Sequence, residues 1–131
     1  MVTCHRLNLT GYTMKKILIV LLLLGCNGKS ETLLLPQDFK TRLETTENAL
    51  LLDVRTQEEV QTGALEGAIN IAYDNNFADK LGTLEQRPIF VYCAVGGRSA
   101  KAATLLREKG YSVYELKGGI QAWKEAGLPV K

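Results

Sequence analysis

The sequence predicts an α/β fold: a central parallel sheet of about five strands with helices on both faces. Three observations carry that expectation. Short apolar runs alternate with helical stretches along the chain, and no internal repeat interrupts them. The run Ala49-Leu50-Leu51-Leu52-Asp53-Val54 reads as a buried strand. A second run, Pro88-Ile89-Phe90-Val91-Tyr92, passes through a glycine pair directly into a helical stretch. In a parallel sheet, that strand-to-helix edge is where ligands bind.

The elements follow in order. Thr32-Leu33-Leu34-Leu35 is a short apolar strand candidate. Pro36 suits a first helical turn, and Phe39 with Leu43 makes an i, i+4 apolar pair in a helix reaching about Glu44. After the 49–54 strand, Thr56 with Glu59 three residues on reads as a capping box for a short helix ending near Gly63. Ala68-Ile69-Asn70-Ile71 is another strand, followed by a weak helix from Phe77 to Leu84. Beyond the 88–92 strand, a helix runs from Ser99 to a closing glycine at Gly110. Ser112-Val113-Tyr114-Glu115-Leu116 alternates as the last strand, and Gly118-Gly119 turns into a helix over 120–126 with Trp123 on its inner face.

Cys93-Ala94-Val95-Gly96-Gly97-Arg98-Ser99 is the most informative stretch. A lone cysteine stands where a strand ends, and its loop enters a helix N-terminus. Inward-pointing backbone N–H groups and the helix dipole favour an anion there. The same field lowers a thiol's pKa and strengthens it as a nucleophile, so Cys93 is expected to titrate low. Gly96 and Gly97 are the positions expected to need φ > 0 or close ligand approach.

The N-terminus has a different character. Met14-Lys15-Lys16 precedes eight apolar residues, Ile17 to Leu24, then Gly25 and Cys26. Eight residues are too few for a bilayer span of about 20, but they suit a signal-peptide core. Residues 1–25 are expected to be a signal peptide, with 1–13 an over-long start if Met14 is the true one. Leu23-Leu24-Gly25-Cys26 resembles a bacterial lipobox, which implies acylation of Cys26 and residues 26–30 as a lipidated linker to a domain over 31–131. The expected protein is exported and lipid-anchored on the periplasmic side of the envelope. Asn27, standing where an inner-membrane signal would have aspartate, points to the outer membrane.

Removing that segment changes the charge. Residues 1–25 hold three of the sixteen basic residues and none of the fourteen acidic ones. The remaining thirteen basic residues no longer exceed the acidic ones, so the chain's basicity gives no reason to expect a nucleic-acid partner. The only histidine is His5, so residues 26–131 can form neither a Cys-His dyad nor a histidine-bearing metal site. No metal or cofactor is expected. Cys93 is the only thiol of the domain, and its activation falls to backbone dipoles and arginine.

Four motifs in order resemble a single-domain rhodanese, a sulfurtransferase of the thiosulfate type. They are Leu51-Leu52-Asp53-Val54-Arg55; Glu59 and Gly63 with Gly67-Ala68-Ile69-Asn70; the Cys93–Ser99 loop; and Gly118-Gly119 with Trp123. The match covers roughly residues 31–130. Val60, Ala64 and Glu66 depart from the family's common aromatic, histidine and proline. Ala94 and Val95 also leave the loop without charge beyond Arg98, which bears on the donor it takes.

The resemblance implies a two-step transfer. The Cys93 thiolate takes sulfur from a small anionic donor such as thiosulfate, becomes a persulfide, and passes the sulfur to cyanide or to a protein or small thiol. Ala94, Val95, Gly96, Gly97 and Ser99 would bind substrate through their N–H groups. Arg98 either orients the donor's sulfonate or braces the loop. Asp53 and Arg55, two apart on one strand face, are expected to hold the scaffold by ion pairing, with Glu58 or Glu59 as partner of Arg55. Cys93 is expected in an exposed pocket, and Trp123 in the core. Two rivals are a cysteine phosphatase or arsenate reductase, which typically has five residues between cysteine and arginine where this chain has four, and a membrane-tethered sulfur carrier or binding module that does not turn over.

Overall fold

A computed structural model describes residues 31–131 of the chain. The expected signal peptide over 1–25 and the expected lipidated linker over 26–30, with Cys26, lie outside the described residues. Five strands form one sheet: β1 (Leu33–Leu34), β2 (Leu50–Asp53), β3 (Ile69–Asn70), β4 (Ile89–Tyr92) and β5 (Val113–Leu116). Their spatial order is β1-β5-β4-β2-β3, and every neighbouring pair is parallel. Between and after them lie helices α1 (Pro36–Thr45), α2 (Gln57–Val60), α3 (Phe77–Lys80), α4 (Gly97–Glu108) and α5 (Gly119–Glu125).

The period-two alternation of the central strands divides the core into two layers. Leu50, Leu52 and Val54 join Ile89, Val91 and Cys93 on one face, against Phe77 of α3 and Ala102, Ala103 and Leu106 of α4. Leu51, Phe90 and Tyr92 point the other way, onto Phe39 of α1 and Ile120 and Trp123 of α5. Phe39 is the hub of that second layer, edge-on to Phe90 at 5.3 Å and to Trp123 at 6.4 Å between ring centroids. Trp123 is buried as expected, and its indole N–H donates to the Pro129 carbonyl at 2.9 Å.

Where boundaries differ from the sequence reading, local chemistry explains it. The first strand shortens to two residues because Leu35 already caps α1, whose first residue is Pro36. The 77–84 helix breaks after Lys80 into a 3₁₀ turn over Leu81–Thr83, where Gly82 weakens α-helical propensity. The helix after Cys93 starts at Gly97, two residues before Ser99. The Thr56–Glu59 capping box forms in both directions: the Glu59 amide donates to the Thr56 hydroxyl at 3.3 Å, and the Thr56 amide to the Glu59 carboxylate at 2.9 Å.

Candidate active site

Strand β4 delivers Cys93 to the carboxyl edge of the sheet, between β5 and β2, and the chain then turns through Ala94, Val95 and Gly96 into α4. Gly96 makes that turn with φ +110°, a left-handed conformation costly for any side chain. Gly97 does not share it; it is the first residue of α4, so the expectation of φ > 0 holds at Gly96 alone. The tight turn brings the Gly96 amide to 3.0 Å from Cys93 Sγ. Cys93 is therefore only 1 % exposed, a correction to the expected exposed pocket, whereas Val95 at the loop's crest is 62 % exposed.

The sulfur has polar partners on more than one side. Besides accepting from the Gly96 amide, the Cys93 thiol donates to the buried Ser99 hydroxyl at 3.4 Å, and that hydroxyl donates to the Gly96 carbonyl at 3.1 Å. Burial pushes the Cys93 thiol up, but its hydrogen bond with the Ser99 hydroxyl and those from the Ser99, Gly96 and Val95 amides outweigh it. The thiol sits below its ordinary value, the direction that loop amides at a helix N-terminus dictate.

Arg98, the first side chain after the glycines, faces Glu59 on α2. Its Nη1 and Nη2 each donate to a different Glu59 oxygen, both at 2.7 Å. The Arg98 guanidinium holds the Glu59 carboxyl down to about 2, and Glu59 in turn raises Arg98.

Asp53 and Arg55 form a separate buried pair. Arg55 Nη2 lies 2.6 Å from Asp53 Oδ2, and Nε reaches both carboxylate oxygens. The Arg55 guanidinium also donates to the Glu59 carbonyl at 3.2 Å and the Gly63 carbonyl at 2.8 Å, and it lies over the Tyr92 ring. The expected partnership with a Glu58 or Glu59 carboxylate is corrected here: two residues apart at the strand end, Asp53 is itself the partner, and the Glu59 carboxylate is committed to Arg98.

Several contacts of this edge escaped the sequence reading. Asn70 Nδ2 donates to the Asp53 and Arg55 carbonyls at 2.9 and 2.8 Å, tying β3 to the end of β2. The Tyr92 hydroxyl accepts from the Leu65 amide at 3.1 Å. The N-terminus of α5 touches the loop itself, the Ile120 amide donating to the Cys93 carbonyl at 2.9 Å and the Gln121 amide to the Ala94 carbonyl at 3.1 Å. The only sequence trace of that contact is the Gly118-Gly119 doublet.

A cysteine at a strand end, ringed by amides, suits anchoring a covalently bound anion; among the described residues no group of histidine, cysteine, aspartate and glutamate could hold a metal ion. Comparison with known proteins identifies the family. Residues 35–126 match the rhodanese-like domain model. The chain belongs to the rhodanese family. A sulfurtransferase of Allochromatium vinosum is 34% identical over 95 residues, which span 72% of this chain and 89% of that protein. The thiosulfate sulfurtransferase GlpE of Actinobacillus succinogenes is 36% identical over 88 residues, 66% of this chain and 78% of the relative. Among solved structures, a rhodanese-related protein of Thermoplasma volcanium superposes with a TM-score of 0.69 at 32% identity, covering 76% of this chain and 96% of the other. The rhodanese architecture of a five-stranded parallel sheet flanked by helices is thus shared, and sulfur transfer is the chemistry this family membership supports.

Proposed function

We propose that this rhodanese domain moves sulfane sulfur from thiosulfate or a similar donor to a thiophilic acceptor through a Cys93 persulfide. The observation that carries this reading is the Cys93 sulfur held between the Gly96 amide and the Ser99 hydroxyl, with its thiol below the ordinary range. In the first step the thiolate attacks the outer sulfur of thiosulfate. The new S–S bond forms as the old one breaks, and its electron pair leaves with sulfite. In the second, cyanide or a thiolate attacks the terminal persulfide sulfur, and the electron pair returns to Cys93 as thiolate. Neither step needs a histidine, because the attacking and leaving groups are already anions and the loop amides carry the charge. Ala94, Val95, Gly96, Gly97 and Ser99 form that cradle, and Arg98 fixes its far wall through Glu59.

The 1 % exposure of Cys93 favours a second reading, in which the persulfide is loaded and passed to a docked protein thiol without multiple turnover. In both readings the domain is exported and anchored to the envelope through acylated Cys26.

Mass spectrometry of the Cys93 peptide after thiosulfate treatment tests the assignment. The expected product carries one added sulfur, is absent in Cys93→Ser, and is discharged by cyanide with release of thiocyanate. Loading without discharge by cyanide, but with discharge to a protein thiol, selects the carrier. No added sulfur from thiosulfate or from a small persulfide overturns both.

A further inference from the structure

Helix α5 lies behind the Cys93 loop, on the side away from the sulfur's layer of the core. Ile120 and Gln121 are its second and third residues, whose N–H groups have no partner within their own helix. Both are committed to the loop backbone, at 2.9 Å to the Cys93 carbonyl and 3.1 Å to the Ala94 carbonyl. The approach is close enough to demand glycine at the helix start. A Cβ on Gly119, which sits at φ +62°, would stand 2.5 Å from the Ala94 carbonyl carbon and from the Cys93 and Ala94 carbonyl oxygens.

A trans peptide is planar, with its C=O and N–H pointing in opposite directions. Fixing the Cys93 carbonyl on α5 turns the Ala94 N–H away from α5, and fixing the Ala94 carbonyl does the same for the Val95 N–H. The side opposite α5 holds the sulfur, and the Val95 amide is among the groups that keep the Cys93 thiol low. Hydrogen bonds in series through a peptide also polarise one another. We propose that α5 sets the reactivity of Cys93 from behind, the Gln121 and Ile120 amides orienting and polarising the Ala94–Val95 and Cys93–Ala94 peptides so that their N–H groups serve the sulfur. Gln121, through its backbone, is a positioning residue, and Gly119 is the close contact that lets it reach. The amides of α5 are spent on the protein's own carbonyls and not on a ligand.

The charged groups around the sulfur belong to other elements: Arg98 on α4 with Glu59 on α2, and Asp53 with Arg55 at the end of β2. On α5 itself the Gln121 side chain donates a hydrogen bond to Glu125 at 3.1 Å. Gln121→Pro deletes the N–H that makes one of the two loop hydrogen bonds, an N–H that has no partner within the helix. Glu125→Ala breaks the same side-chain contact and keeps the amide.

Cys93 is here the reacting sulfur of the sulfurtransfer reading, and the experiment separates the two. In the full chain, the rate of iodoacetamide alkylation of the Cys93 peptide is followed against pH by mass spectrometry. The expected midpoint in Gln121→Pro lies about half a pH unit above that of the parent, with Glu125→Ala unchanged. A folded Gln121→Pro with the parent's midpoint overturns the link to α5. In the parent protein, whether or not that variant folds, the Val95 and Gln121 amide resonances are expected to move with the Cys93 titration. A Gln121 amide that stays fixed while Val95 moves overturns the link. A shifted midpoint in a protein that thiosulfate cannot load removes the sulfurtransfer reading and leaves the role of α5 standing.

Discussion

Arg98 and Glu59 meet fork to fork, 39 residues apart in sequence, with two hydrogen bonds of 2.7 Å. Glu59 simultaneously accepts from the Thr56 amide, so one carboxylate caps α2 and anchors the start of α4. The loop's only charged side chain is thereby occupied within the protein. Of the two roles open to Arg98 from sequence, this geometry favours bracing: a guanidinium already bidentate to a carboxylate has fewer donors left for a sulfonate.

The pair titrates in a defined window. Glu59 is held at about 2, against an ordinary 4.5, first by its hydrogen bonds to Arg98 and despite some burial. Its folded pKa is depressed, so its contribution to stability is complete above 4.5 and is lost as pH falls toward 2. Thermal unfolding of the parent and Glu59→Gln should differ at pH 6 by less than about 1 kcal/mol, since both side chains are about a third exposed and screened by water. That difference should close between pH 4.5 and 2. A gap independent of pH across that range would show that Glu59 acts by packing alone.

Asp53 and Arg55 should behave differently, because both are buried. Removing one partner strands the other's charge, which costs about 3–5 kcal/mol. Asp53→Ala is expected to lower urea-unfolding stability by that order, and a second change, Arg55→Met, should recover much of the loss. Additive losses in the double variant would mean that the Arg55 bonds to the Glu59 and Gly63 carbonyls matter more than its charge partner.

Buried central strands and the Cys93 loop were legible because their signals are local. Leu50 to Leu52 and Ile89 to Val91 are apolar throughout, and the glycine pair follows the cysteine after only Ala94 and Val95. The capping box was equally readable, since Thr56 and Glu59 lie one helical turn apart. The ion-pair assignments were not. Arg55 has acidic neighbours at 53, 58 and 59, and only the strand geometry at Asp53 decides between them. Nor could spacing reveal that Glu59 crosses to Arg98, or that amides at 120 and 121 reach carbonyls at 93 and 94. Those contacts depend on the order β5-β4-β2, which sets distant segments side by side.

The N-terminal segment calls for a separate experiment. If Leu23-Leu24-Gly25-Cys26 directs acylation, the mature chain should partition into detergent and with membranes. Stable anchoring takes more than one acyl chain, as an acylated N-terminal cysteine would supply. Cys26→Ser is expected to remain unprocessed, to migrate more slowly on a gel and to lose incorporation of labelled palmitate. Unchanged migration and unchanged detergent partitioning would remove the lipid anchor.

Ring size and the occupied Arg98 lead to the last prediction. Four residues separate Cys93 from Arg98, and the turn is closed tightly enough for the Gly96 amide to reach 3.0 Å from the sulfur. A cradle of that depth suits one added sulfur better than a tetrahedral phosphate with three oxygens to satisfy. Phosphate-ester hydrolysis dependent on Cys93 is therefore expected to be absent. If Arg98 braces the loop, Arg98→Ala should slow persulfide formation about tenfold, through misplacement of the N–H groups, and equally for thiosulfate and an uncharged organic persulfide. A direct contact with the donor's sulfonate would instead penalise thiosulfate alone. Measuring both donors with the same variant decides which, and turnover of an aryl phosphate that disappears in Cys93→Ser would overturn the sulfur assignment itself.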